Sequence, residues 1–404
     1  MSRPWYAEIT PELWHVLIAT FLGWMLDAFD AMIYAMTIKP IMTDWNLDTA
    51  VMGAITAIFM LGTGIGGVTW GFLADKIGRT RVLMITILWY SAFTGLCGLS
   101  QGPWHLALFR FLTGFGIGGE WATGAVLLAE TWPPEHRGKV AGIMQSGWPV
   151  GYMCAAAVTW ALASYLGSPN LTNGAWRYAY FMGILPALLT AYIRKAVPES
   201  KLWLEGKVKR EKVELSEVLR MVVFATILVI LCQYAYWAVF SWLPTYLSKE
   251  RGLGVIKSSI YIIAVEIGGI TGHILYGFMA DKIGRKPSFI LFFIVNSLLV
   301  PYFAMYAPEN LLFILGPVLG FFGHGFFSGF PAYLAELFPT KVRGAAQGFA
   351  YNFGRTGAML GPYIVGVLAL TYGLGAAIST ASIAFIMAAI VVSLGPETKG
   401  KALD

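Results

Sequence analysis

Apolar residues gather into twelve long runs separated by short polar breaks, at residues 14–38, 51–74, 82–101, 104–129, 140–165 and 177–196, then 220–247, 258–280, 287–306, 309–335, 344–369 and 371–394. Each is close to or above the roughly 20 residues that a helix needs to cross the hydrocarbon of a bilayer. The pattern predicts an all-α membrane protein with twelve transmembrane helices. Between the sixth and seventh runs lies a polar stretch holding Lys201, Glu205, Lys207, Lys209, Arg210, Glu211, Lys212, Glu214 and Glu217, too charged to enter lipid. The expected organisation is a six-helix bundle over 1–196, a cytoplasmic linker over 197–219 and a second six-helix bundle over 220–404. Other connections are short, so neighbouring helices should be antiparallel and closely packed. Glycines such as Gly62, Gly64, Gly66, Gly67 and Gly71 in the second run are expected to let backbones approach.

The polar breaks repeat. Gly71-Phe-Leu-Ala-Asp-Lys-Ile-Gly-Arg79 returns 206 residues later as Gly277-Phe-Met-Ala-Asp-Lys-Ile-Gly-Arg285. Glu130 to Arg137-Gly138 returns at the same offset as Glu336 to Arg343-Gly344. Two matches at one offset mark a duplicated membrane bundle, and paired bundles are how many solute carriers alternate access to a central site.

Composition agrees: 57% of residues are hydrophobic, 12% are charged and mean hydropathy is +0.66, whereas about a quarter of residues are charged in an average soluble domain. The net charge of +6 is a matter of topology. With the N-terminus placed in the cytoplasm, 21 of the 28 Lys and Arg fall in cytoplasmic segments, 5 outside and 2 (Arg110 and Arg355) within spans. That asymmetry predicts both termini in the cytoplasm of a plasma-membrane protein. No basic patch calls for nucleic acid, and the first span is expected to be its own insertion signal, since Glu8 and Glu12 precede it. Cys97, Cys154 and Cys232 all lie within spans at no metal-ligand spacing, so neither a disulfide framework nor a metal site is expected. No nucleotide loop or nucleophile constellation appears. The sequence therefore predicts no enzymatic activity and no cofactor.

With its duplicated Gly-x-x-x-Asp-Lys-x-Gly-Arg loops, the chain resembles the major facilitator superfamily over its whole length. In that family Arg79 and Arg285 would pair with Glu130 and Glu336, beside Arg137 and Arg343, to latch the cytoplasmic side shut. Asp75 and Asp281 sit where an acid can meet a positive helix N-terminus. Arg110-x-x-x-Gly114-x-Gly116-x-Gly118, Pro198-Glu-Ser-x-x-Trp203-Leu204 and Pro396-Glu-Thr-Lys-Gly400 resemble sugar porters and their organic-acid relatives. Asp27-Ala-Phe-Asp30, Gly118-Gly-Glu120-Trp121 and Gln347-Gly-Phe-Ala-Tyr-Asn352-x-Gly-Arg355 resemble proton symporters for sialate, lactate-type monocarboxylates and aromatic acids.

Charges near the bilayer centre cost at least about 2.5–3.5 kcal/mol each on insertion scales and need a partner, water or a role. At a rise of about 1.5 Å per residue, Asp30 lies roughly 12 Å and Arg110 roughly 9 Å below the outer boundary, so the two can meet. An acid facing an Arg in a partly wet cavity is a usable proton switch, and the resemblance gives Asp30 and Arg110 that role; a permanent ion pair is the alternative. At the 206 offset Asp30 maps to Tyr236 and Arg110 to Gly316, so the coupling chemistry belongs to the first half. Asp27 is either a second titrating site or a hydrogen bonder between helices. Glu120 either receives the proton or binds the fifth helix. Arg355 sits about midway through its span, where a guanidinium offers a planar fork to a carboxylate, with Asn352 on the same flank. The alternative is a fixed pair with an acid such as Asp27. Tyr34, Gln233, Tyr236, Trp237, Glu266 and His324 complete the expected wall.

The reading is a proton-coupled symporter of a small organic anion of the monocarboxylate type, functioning as a monomer in the lipid bilayer by alternating access. The alternatives are a proton-coupled sugar or polyol symporter, an exporter or antiporter, and a sensor that has lost transport.

Overall fold

The computed structural model describes residues 9–132, 137–199, 218–338 and 340–399, so most of the charged linker, including its run of Lys and Glu, lies outside the described residues. Crossings α1 to α4 are single helices, Pro11–Trp45, Thr49–Ile77, Arg79–Cys97 and Pro103–Thr131. Crossing α5 is Arg137–Gln145 continued as Gly147–Tyr165, and α6 is built from Arg177–Met182, a 3-10 turn Leu185–Leu188 and Leu189–Ala196. After the linker come α7 (Leu219–Phe240 and Leu243–Lys249), α8 (Gly254–Ile283), α9 (Arg285–Pro301, extended by a π turn) and α10 (Glu309–Gly325, a 3-10 turn, then Gly329–Leu337). A helix from Thr340 to Ser379 breaks at Gly373, whose φ is 80°; the part before the break is α11, and α12 continues through Ala381–Leu394. The described residues thus form the twelve crossings that the apolar runs predict. The runs expected to be continuous at α5, α6, α7 and α10 are instead interrupted by short breaks.

Glycines set the helix spacing, in the same register in each half. A Cβ placed on Gly62 or Gly66 of α2 would lie 2.3 Å and 1.9 Å from the carbonyl oxygens of Phe111 and Phe115 in α4. The offset partners Gly268 and Gly272 of α8 would meet the carbonyls of Pro317 and Phe321 in α10 at 1.9 Å and 2.2 Å. Such contacts admit no side chain, which is how small residues bring membrane helices together. Gly67 also packs closely, beside Asn352, whereas Gly64 and Gly71 face open space, so the expectation for those two does not hold.

The loop motifs have a specific geometry. Gly78 and Gly284 have φ of 106° and 108°, a conformation that L side chains rarely adopt, and each turns the chain directly into the next helix. The first amides of α3, on Arg79 and Thr80, donate to Glu199 at 2.9 and 3.1 Å; those of α9, on Arg285 and Lys286, donate to Glu397 at 2.9 and 3.0 Å. The acids of the Pro-Glu-Ser and Pro-Glu-Thr segments therefore occupy the helix N-termini, where unpaired amides and the helix dipole favour an anion. This corrects the expectation for Asp281, whose exposed carboxylate pairs instead with Arg285 one turn later. Arg285 also bridges to Glu336 at 3.1 Å, the expected latch of the second copy. The side chains of Asp75, Glu130, Arg137 and Arg343 lie outside the described residues.

Hydrogen bonds between the two halves close the end of the molecule opposite the loop motifs. Lys39 of α1 donates to the Ser248 carbonyl at 2.6 Å, and Thr49 at the start of α2 donates to the Gly366 carbonyl of α11 at 2.6 Å.

Candidate functional site

Between the halves lies a cavity with about 690 Å³ of space not filled by atoms, part of it continuous with solvent. Two seams flank it. At one, α2 meets α11, and Arg355 Nη1 donates to the Thr63 carbonyl at 3.1 Å. At the other, α5 of the first half meets α7 and α8 of the second: Trp148 Nε1 donates to the Tyr236 hydroxyl at 2.7 Å and Tyr152 donates to the Phe240 carbonyl at 2.8 Å. Arg355, Gln233, Tyr236, Trp237 and His324 line the cavity as the sequence suggests. Aromatic rings make up much of its wall, with Trp24 tilted against Trp148 at 4.6 Å, and Trp237 edge-on to Trp148 at 5.9 Å. A guanidinium, two imidazoles and two carboxamides in an aromatic box provide a charge anchor and flat apolar surfaces for a planar ligand.

Three expected wall residues stand elsewhere. The Tyr34 hydroxyl donates to the Met52 carbonyl at 2.7 Å and its ring lies against Arg110, so Tyr34 fastens α1 to α2. Asn352 packs on Gly67 in the seam. Glu266 is fully buried behind the wall, with Oε2 3.1 Å from His324 Nε2.

The expected coupling residues form a separate buried cluster within the first half. Asp30 accepts a hydrogen bond from the Thr94 hydroxyl at 2.9 Å. Arg110 lies within electrostatic reach of that carboxylate but donates to the backbone carbonyls of Asp30 and Ala31, at 3.1 and 3.4 Å, while its guanidinium stacks 3.9 Å from the Phe59 ring centroid. The anticipated direct contact between the two charged groups is therefore replaced by a backbone clamp with the carboxylate nearby. Asp27 lies beside Glu120 and Tyr90, and among the described residues no donor meets the carboxyl oxygens of Asp27 or Glu120 in full hydrogen-bond geometry. Asp27 also lies within electrostatic reach of Arg355, linking the acid cluster to the cavity.

Sequence reasoning missed Thr63, Gln145 and Tyr351 in the wall. A signal was available: the 206-residue offset carries Gln145 onto Tyr351, and the acid Asp27 onto Gln233.

The sequence model of the Major Facilitator Superfamily matches residues 20–275 and 262–403. The sialic acid transporter NanX of Escherichia coli is 32% identical, with 99% of this chain and 98% of that protein aligned. The cis,cis-muconate transport protein of Acinetobacter baylyi is 30% identical over 96% of this chain and 95% of its own length. Among solved structures, the partially occluded inward-open form of the xylose transporter XylE from Escherichia coli superposes with a TM-score of 0.82, covering 98% of this chain and 100% of that one, at 19% identity. That last likeness concerns the fold.

Proposed function

The chain belongs to the Major Facilitator Superfamily, and from that premise we propose that it is a proton-coupled symporter that imports a small organic anion. It is a multi-pass membrane transporter; the proposal concerns its substrate, its coupling and its orientation. The observation that carries the substrate assignment is Arg355, which presents a guanidinium to an aromatic-walled cavity at the seam of the two halves. A carboxylate matches both the charge and the fork of that group. Relatives named for transporting sialic acid and cis,cis-muconate, both carboxylates, support the same class.

Coupling follows from the position of the acids. Asp30, with Asp27 and Glu120, is the proton site, and Arg110 clamps the backbone that carries Asp30. A substrate carboxylate that engages Arg355 alters the field at Asp27, so loading of the cavity and of the acid cluster are linked. With the loop motifs and both termini in the cytoplasm of the plasma membrane, the bonds at Lys39 and Thr49 form the outer closure. Alternating access breaks them as the two halves rock about the central site, with each molecule working as a monomer.

Counterflow in proteoliposomes against a panel of monocarboxylates, aromatic acids, sialate and neutral sugars tests the reading. Exchange of one or more carboxylates, with none of the sugars, is expected. Exchange of sugars alone would overturn it.

A further inference from the structure

The second half carries an ionisable pair that duplication did not supply. At the 206 offset Glu266 corresponds to Met60 and His324 to Gly118, just as Asp30 and Arg110 correspond to Tyr236 and Gly316. Neither pair is therefore a copy of the other. In the first half Gly118 serves packing, since a Cβ there would lie 2.1 Å from the Thr63 carbonyl oxygen. In the second half Gly268, Gly272 and Gly320 already bring α8 and α10 together, so position 324 can carry an imidazole.

Glu266 stands well inside α8, about 18 Å along the helix from Gly254 at a rise of about 1.5 Å per residue, and is fully buried. Among the described residues no donor meets its carboxyl oxygens in full hydrogen-bond geometry, and no Lys or Arg lies within ion-pair distance. The ionisable groups around it are His324 of α10, whose Nε2 lies 3.1 Å from Oε2, Tyr152 of α5 and Tyr236 of α7. His273, on α8 itself, stands beyond His324, with ring centroids 6.1 Å apart. Tyr152 donates to the Phe240 carbonyl, Tyr236 accepts from Trp148, and His273 Nδ1 lies 2.7 Å from the Ser328 hydroxyl. A bare carboxylate at this place would have neither a donor nor a cation, which is a costly state at membrane depth. The remaining source of positive charge is a proton. One proton makes the pair neutral whether it sits on the carboxyl or on the ring, so the count does not depend on how the two groups bond. Asp30 differs, because it accepts from Thr94 and has the Arg110 guanidinium within electrostatic reach.

His324 borders the cavity and Glu266 lies behind it, so the ring is the side from which a proton can reach water. Water admitted as one side opens supplies the solvation that the buried carboxylate lacks, and the pair can then release its proton to that side. A substrate carboxylate in the same cavity acts in the opposite sense. Its negative charge favours the protonated pair, and by linkage the proton favours the substrate.

We infer that Glu266 and His324 form a second proton-binding site, belonging to the second half, which loads and empties through the cavity and adds one proton per cycle to those carried by the first half. The inference rests on the proton-coupled reading of the transporter and leaves the role of Asp30 unchanged.

The proton is the ligand, so the first measurement needs no substrate. Purified wild type and Glu266→Gln, matched in melting temperature, are titrated potentiometrically between about pH 6 and about pH 9, a window in which an ordinary carboxyl has already given up its proton. The wild type is expected to release one proton more than the variant. The same difference should appear when Glu266→Gln is made in Asp30→Asn, because sites in different halves act independently. Glu266→Met, which places at 266 the side chain that the first half has at Met60, gives the same comparison if the Gln variant does not fold. Equal counts overturn the inference, because a carboxyl that is always ionised or a proton that never leaves would each produce them. In proteoliposomes, with a carboxylate that exchanges in counterflow, the reversal potential should give a proton-to-substrate ratio lower by one in Glu266→Gln. An unchanged ratio also overturns the inference. Wild-type uptake that ignores a proton gradient would instead overturn the proton-coupled reading as a whole.

Discussion

Replacing Arg355 by Ala is the perturbation with the most to say about substrate class. The guanidinium borders the cavity and donates to the Thr63 carbonyl, and a carboxylate that engages it would meet the two-pronged geometry that only Arg supplies. Loss of a charge-assisted contact of this kind in a poorly hydrated site is worth roughly 1.5–3 kcal/mol, about a tenfold to more than a hundredfold weakening of binding. A second, smaller effect is built into the structure. The same substitution removes a hydrogen bond across the α2–α11 seam, worth about 1 kcal/mol to the closed arrangement, so the protein should open more readily. The two effects separate by ligand: a carboxylate loses affinity, whereas its amide analogue, already weak, binds no worse. Arg355→Lys should recover part of the loss, because an ammonium keeps the charge and lacks the planar fork. Calorimetry on detergent-purified protein with matched melting temperature measures all of this. Unchanged carboxylate affinity in Arg355→Ala would refute the reasoning and leave an anionic substrate supported by kinship alone.

Asp30→Asn should abolish accumulation driven by a proton gradient and leave substrate exchange largely intact, since the amide imitates a permanently protonated carrier; accumulation against a gradient in proteoliposomes would remove Asp30 from the coupling role. Gly66→Ala and Gly320→Ala each place a methyl within 2 Å of a carbonyl oxygen on the partner helix and should cost about 1–3 kcal/mol, seen as lowered melting temperatures. Gly64→Ala, facing open space, should leave the melting temperature unchanged or slightly raised. For Glu397, burial pushes the carboxyl up, but the amides of Lys399, Arg285, Lys286 and Thr398 together outweigh it and hold the group below its ordinary value of 4.5. A depressed carboxyl stabilises the folded state above its ordinary value and loses that contribution as pH falls through the lower one. Hydrogen exchange at the Arg285 and Lys286 amides should therefore accelerate, beyond its intrinsic pH dependence, on acidification through that range; in Glu397→Gln this extra step should be absent.

The sequence by itself determined the class and the plan of the molecule. Twelve apolar runs can satisfy their backbone polar groups in lipid only as helices, and a motif repeated at one offset can only mean two copies of one bundle. It also singled out Arg355, His324 and Gln233, because polar groups in apolar runs stand out against their surroundings. Packing decided what the pattern could not. Whether an intramembrane charge faces the cavity or a neighbouring helix depends on rotation about the helix axis. Periodicity gives little help there, because these helices are apolar on nearly every face. Tyr34 consequently turned out to fasten two helices, and Asp30 and Arg110 to meet through backbone carbonyls. The acids that cap α3 and α9, Glu199 and Glu397, lie more than a hundred residues away in sequence from the amides they accept. Only the folded chain brings such partners together, as it alone sets His324 between a buried carboxylate and an open cavity.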